Sequence, residues 1–388
     1  MSALDRILRR SVELGAAVGV VGGAATREGI FYQGAFGKRS ADGPAAMTDD
    51  TIFRIFSMTK AVGSVAAAQL VERGELDLDA PVESICPAFG ELQVLEGFDG
   101  DSPRLRAPKR KATVRQLMTH TSGLVYEFWN ADIAKYLAVT GNPGFLSGTK
   151  RGIMYPLVFD PGERWDYGIG IDWLGQVIEA ISGRRLDVYC RDEIFTPLGM
   201  KDTDFECQGD KRNRLASVHA RGENGLLSVI SLDPPSNPEV YSAGFGLYST
   251  ARDYLQFLLM LLNEGSYNGA QILKPATVNY ILENHIDDLE VGKLTSVAPG
   301  VTGDAEFFPG MSKKHSLATM INIEPARGMR AAGSHCWAGA LNTYFWFDQL
   351  NGIAGVVLMQ SLPFVDPKCT DVLVEFEKAV YARTCVTA

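Results

Sequence analysis

Ser57-Met58-Thr59-Lys60 sets a hydroxyl and an amine three residues apart. On a helix that spacing puts both on one face, so Lys60 Nζ can approach Ser57 Oγ. A serine hydroxyl is a poor nucleophile until a base takes its proton, and a neutral lysine is such a base. At a first helical turn the serine also feels the positive end of the helix dipole, which favours an oxyanion nearby. Alone the motif is weak, because about one chance Ser-x-x-Lys is expected in a chain this long. A second copy does stand at Ser147-Gly148-Thr149-Lys150, behind Gly141-Asn142-Pro143-Gly144 and with no helical period after it. The first copy closes a β-branched and aromatic run, residues 51–56, and opens a helix-periodic stretch, so Ser57 is the candidate nucleophile. Taken by itself, Ser57 is also a good N-cap serine.

Two further segments carry polar chemistry. Pro161-Gly162-Glu163-Arg164-Trp165-Asp166-Tyr167 is a turn and an aromatic stretch at a helix entrance, a place from which a tyrosine hydroxyl can enter a cleft; a core tyrosine fits the same pattern. His335-Cys336-Trp337-Ala338-Gly339-Ala340 precedes a strand. A glycine beside an edge strand lets a substrate approach the backbone, and a free N–H there can hold an oxyanion; the other reading is a strand-start turn with a buried tryptophan. Tyr126, Phe128 and Trp129 follow Gly123 in a loop and either wall an acyl pocket or pack a core.

The elements that must position these groups are legible in outline. A short helix with Leu4, Ile7, Leu8, Ser11, Val12 and Leu14 on one side precedes two strands, 18–24 and 29–34, joined by Thr26-Arg27-Glu28. Val62, Val65, Ala66, Leu70 and Val71 recur at helical spacing after Ser57, with Gly74 as a C′ residue. Residues 80–165 are rich in proline and read as loops. Helices are expected near 171–182 and 250–264, strands at 343–347 and 355–359 about the turn 348–352, and a last helix near 366–382. Strands at both ends and helices between predict one sheet built from the two termini, an α+β rather than an alternating βαβ arrangement.

Taken together, the segments resemble the serine β-lactamase and penicillin-binding-protein superfamily, and most of all the class C β-lactamase-related carboxylesterases (family VIII esterases). The resemblance rests on Phe56-Ser57-Met58-Thr59-Lys60, on 117–124 (LMTHTSGL), on 161–167 (PGERWDY), on 197–203 (PLGMKDT), on 246–254 (GLYSTARDY) and on 337–343 (WAGALNT), in that order along nearly the whole chain. It implies a β-lactamase/transpeptidase-like fold: an antiparallel sheet flanked by helices, from residues 1–74 and 296–388, with a mainly helical subdomain at 75–295 and the site between them. It implies Ser57 as nucleophile, Lys60 as its activator and Tyr167 as the proton shuttle. The oxyanion hole would be the backbone N–H groups of Ser57 and Ala340, and Trp337, Gly339 and Tyr126 would bind substrate.

Two departures bear on substrate. Ile169 stands where β-lactamases carry Asn, and Trp337 stands where they carry the cation of Lys-Thr-Gly. That cation helps hold a carboxylate, whereas an indole offers apolar area and one N–H. Both departures are found in the related esterases and point to neutral esters rather than efficient β-lactam hydrolysis. His335, two residues before Trp337, is a weak candidate for partial charge. The activity this implies is hydrolysis of carboxylic esters through an acyl-serine. The rivals are acyl transfer from the same intermediate, a weak β-lactamase or D-peptidase activity, and a binding protein without catalysis.

Composition excludes other classes. The 388 residues are 46% hydrophobic and 21% charged with net charge −9, an ordinary globular balance that does not suit a nucleic-acid binder. Six cysteines without a C-x-x-C pair read as free thiols of a reducing compartment. No apolar run approaches the roughly 20 residues of a membrane span, and Glu13 interrupts the only export-like stretch, so a cytoplasmic chain is expected. Neither a metal-ligand spacing nor G-x-S-x-G nor a nucleotide loop occurs, so neither a metal nor a cofactor is expected, only a small-molecule ester. Oligomeric state is not legible.

Overall fold

The computed structural model describes residues 1–384. Helix α1 (Ala3–Glu13) starts from a reciprocal cap, in which Ser2 Oγ accepts from Asp5 N–H while the Asp5 carboxylate accepts from Ser2 N–H. Strands β1 (Gly19–Thr26) and β2 (Gly29–Gly37) form the expected hairpin. Then come α2 (Thr59–Glu72), α3 (Ala131–Thr140), α4 (Gly170–Ser182) and α5 (Ala251–Leu262). Strands β3 (Lys313–His315), β4 (Met320–Asn322), β5 (Ser334–Gly339), β6 (Thr343–Asp348) and β7 (Ile353–Leu358) follow, and α6 (Pro367–Thr384) closes the described chain.

The seven strands make one antiparallel sheet in the order β3-β4-β5-β6-β7-β1-β2. Its middle joins the ends of the chain, with Val21 opposite Leu358. Adjacent glycines in β1 let a helix press on each face. A Cβ on Gly22 would lie 2.8 Å from Leu8 of α1 and 2.9 Å from Phe376 of α6, and one on Gly23 would lie 2.7 Å from Leu255 of α5. Helix α2 packs against α4 and is buried on every side from Thr59 to Leu70. A helix wrapped all round by protein holds its first turn rigidly, and that turn adjoins Ser57.

Several elements fall inside the stretch read as loops. Helix α3 is the longest of them, capped by Asn130 and ended by left-handed Gly141. A hairpin of Val94–Asp99 with Ser102–Arg106 is another. The cysteines at 86, 190, 207, 336 and 369 are free and buried; Cys385 lies outside the described residues. Among the described residues no helix is long and apolar enough to cross a membrane.

Candidate active site

Ser57 sits in a single 3-10 turn, Phe56–Met58, that runs into α2. Its approach is fixed upstream: Phe53–Arg54 pairs with Tyr248–Ser249, and Ile55 N–H donates to Leu247 O at 3.0 Å. Phe56 then turns left-handed, φ +43°, at a cost of order 1–3 kcal/mol for a non-glycine residue. Packing holds it there, with its ring stacked on Phe245 at 6.2 Å between centroids. Met58, not Ser57, takes the N-cap position of α2, and it makes no side-chain capping bond. The capping role that Ser57 alone suggested is therefore not the one it has.

Lys60, one turn further, is 1% exposed. Its Nζ donates to Ser57 Oγ at 3.1 Å, to Tyr126 Oη at 2.9 Å and to Gly244 O at 2.8 Å. Three hydrogen-bond partners thus surround the amine. The Gly244 carbonyl is itself held by a buried carboxylate. Ser242 Oγ donates to Asp172 Oδ1 and accepts from Gly244 N–H at 3.0 Å. Burial raises the pKa of Asp172, against the opposing effects of the Lys60 charge and the Ser242 bond. A Cβ on Gly244 would lie 2.4 Å from Asp172 Oδ2, so this contact needs glycine.

Two phenols flank the lysine and differ in kind. Tyr126 N–H donates to Tyr167 O at 3.1 Å, and the rings lie 5.1 Å apart. Tyr126 is 1% exposed, and burial, with Asp172 adding to it, pushes its phenol well above the usual range. It therefore stays protonated and sits behind Lys60, not on the cleft wall. This corrects the sequence reading of Tyr126 as a substrate contact: its hydroxyl is a ligand of the lysine. Tyr167 does line the cleft with Ser57. Lys60 Nζ lies 4.9 Å from its ring centroid, and its Oη accepts from Trp337 Nε1 at 3.3 Å. Among the described residues Tyr167 Oη has no hydrogen bond to Ser57 or Lys60.

Strand β5 is paired to β4 only from Ser334 to Cys336, so Trp337–Gly339 has neighbour β6 alone. Trp337, Ala338 and Ala340 line the cleft. Gly339 has a different task from the one read for it. A Cβ there would lie 2.1 Å from Ile55 O and 2.4 Å from Thr343 Oγ1. Its small size seats the strand against the segment leading to Ser57, so the space is filled by the chain and not by substrate. His335 is also corrected. Burial pushes its pKa down to about 3, and it stacks on Phe347 with Nδ1 2.8 Å from Thr319 Oγ1. A neutral imidazole supplies no charge to the site.

The cleft takes in about 650 Å³ of space continuous with solvent, and its walls are mostly apolar, with Phe128, Trp129, Trp165 and Phe307 prominent. Beneath Trp337 lies a pair of histidines that sequence reading did not place. His120 lies parallel to the indole at 6.2 Å and edge-on to Tyr167 at 4.8 Å, and His315 lies 5.3 Å from His120. Burial keeps His120 well below its ordinary pKa and His315 at about 4, so both are neutral and act as packing. The second Ser-x-x-Lys is not assembled: Ser147 Oγ donates to Gly144 O at 2.7 Å, and Lys150 is exposed.

The Beta-lactamase family profile matches residues 4–378. The chain belongs to that family. Lovastatin esterase of Penicillium rubens is 30% identical over 98% of this chain and 98% of its own. Monacolin J acid methylbutanoyltransferase of Aspergillus terreus is 31% identical over 86% of this chain and 83% of its own. Among solved structures, unliganded Simvastatin Synthase from Aspergillus terreus superposes with a TM-score of 0.82 at 28% identity, covering 98% of this chain and 97% of that one. The architecture is thus the β-lactamase/transpeptidase-like fold, and these relatives are by name an esterase, a methylbutanoyltransferase and a synthase.

Proposed function

We propose that this protein is a serine hydrolase of carboxylic esters that works through an acyl-enzyme. The observation that carries this reading is Lys60 Nζ at 3.1 Å from Ser57 Oγ beside an apolar cleft. Lys60 takes the proton as Ser57 Oγ attacks the ester carbonyl. The backbone N–H groups of Ser57 and Ala340 hold the tetrahedral oxyanion, each such donor contributing about 3 kcal/mol to the barrier reduction. When the C–O bond breaks, Tyr167 gives a proton to the leaving alcohol. Lys60 then resupplies the phenol, and water, activated by the same pair, frees the acid. Tyr126 serves as a neutral anchor for the lysine rather than as a base, since its burial opposes ionisation.

A second reading is transfer of the acyl group to an alcohol. The apolar walls of the cleft disfavour water at the acyl-serine, and the acyltransferase names among the relatives support it. Hydrolysis and transfer part only after acylation. The deciding experiment is fluorophosphonate labelling and p-nitrophenyl butyrate turnover, with and without an added alcohol, in the native chain and in Ser57→Ala. Labelling that persists in Ser57→Ala refutes the assignment; a butyrate ester of the added alcohol selects transfer.

A further inference from the structure

We propose that Lys313 is the seat for a carboxylate of the substrate, so that the natural ester or acyl acceptor is an apolar molecule with one acid group away from the reacting carbonyl. This rests on the acyl-enzyme reading above and adds the chemical class of the substrate. Lys313 opens β3. Alternation along a strand puts Lys313 and His315 on one face and Lys314 on the other. His315 packs edge-on against Trp337 with centroids 5.6 Å apart, which marks that face as the one turned to the site. Lys314 Nζ points away and bonds to Asp287 O and Leu289 O. Lys313 itself lines the cleft together with Ser57 and Trp337.

The lysine is 4% exposed and forms no ion pair with a described acidic residue. Its Nζ donates to Met311 O at 2.7 Å and, at the limit of hydrogen bonding, to Phe308 O at 3.5 Å. That leaves an N–H for an occupant. Buried charges are ordinarily paired, because desolvation is costly without a counter-ion. No other residue lining the cleft is charged. A carboxylate carried on an apolar body completes this arrangement, whereas a neutral ester leaves the ammonium without a counter-ion. The positive charge absent at Trp337 is thus supplied two strands away, which replaces the expectation of neutral esters.

The test is calorimetric binding of octanoate and octanamide to the full chain. Octanoate is expected to bind about tenfold or more tightly, the gain typical of a charge-assisted hydrogen bond. Lys313→Gln keeps a donor for Met311 O but loses the charge, and the octanoate-to-octanamide ratio should fall to near one. Lys313→Arg should preserve the preference. A ratio near one in the native chain overturns the proposal, and so does a preference that survives in Lys313→Gln, which would place the carboxylate on another cation. If Lys313→Gln does not fold, the native and Arg ratios still decide. Ser57-dependent turnover of p-nitrophenyl butyrate, run in parallel, reads the acyl-enzyme assignment separately. Its absence refutes that assignment even where octanoate selectivity is intact.

Discussion

Lys60 Nζ lies 2.9 Å from Tyr126 Oη and 3.1 Å from Ser57 Oγ, so one amine is shared between a phenol buried behind it and a hydroxyl facing the cleft. Removing the rear partner leaves the buried amine one hydrogen-bond partner short. Tyr126→Phe is therefore expected to lower stability by about 1–3 kcal/mol and to reduce kcat as the lysine wanders. Lys60→Ala, which removes the base, should lower kcat by roughly 10²–10⁴. Urea unfolding and ester turnover on both variants check the pair. Equal stability of Tyr126→Phe and the native chain would contradict the anchor role.

The opposite pattern is expected at the other phenol. Tyr167→Phe removes the proton donor to the leaving alcohol, and the rate should fall by about 10²–10⁴. Trp337→Phe keeps an aromatic side chain, though a smaller one, and deletes the N–H that reaches Tyr167 Oη at 3.3 Å. It should cost about fivefold in kcat, as expected from about 1 kcal/mol for one neutral hydrogen bond. The informative comparison is leaving-group dependence: the Tyr167→Phe defect should shrink with nitrophenyl esters, whose leaving group needs no proton, and grow with alkyl esters. A uniform defect would remove Tyr167 from that step.

Gly244 offers a test in which no functional side chain is touched. A methyl at this position meets Asp172 Oδ2 at 2.4 Å, so Gly244→Ala must push the carbonyl away from Lys60 or displace the carboxylate. The expected result is about 1–3 kcal/mol of destabilisation with a kcat loss that exceeds what partial unfolding explains. Activity measured well below the melting transition separates the two. Native kcat in a destabilised Gly244→Ala would break the link between this loop and the lysine.

The buried histidines set the acid limit. Burial holds His315 at about 4 and His335 at about 3 in the folded chain, against about 6.5 when unfolded. The unfolded state thus binds more protons between these values. Stability is full above about pH 6.5 and is lost as the pH falls through the folded pKa values. His315 alone accounts for about 3 kcal/mol by pH 4. Urea midpoints should drop steeply between pH 6.5 and pH 4.5, and His315→Gln should flatten that slope. An unchanged slope would show that His315 titrates freely.

Much of this architecture was legible because periodic burial writes itself into sequence. The helix expected near 171–182 is α4, which buries Ile171, Leu174, Val177 and Ile178 and ends at left-handed Gly183. Helix α3 escaped because only Ile133 is buried in it, although Asn130 and Gly141 were cap signals at its ends. The hairpin at residues 94–106 carried a turn signal in Asp99-Gly100 that proline-rich surroundings masked. At the site, Ser57 and Lys60 were readable because a helix fixes three-residue spacing. Tyr126 was seen but misassigned, since nothing local says that a phenol 66 positions away will meet the lysine. Gly244 acts through a carbonyl that every residue possesses, and Lys313 stands out only by having no acidic partner among the described residues; neither leaves a mark in the order of residue types.

The pairing of β1 with β7 has a consequence in time. Val21 waits for Leu358, and the strand that leads to Ala340 is also made late. Ser57 and Lys60 therefore leave the ribosome roughly 280 residues before the groove that gives them purpose can close. Such distant pairings slow folding.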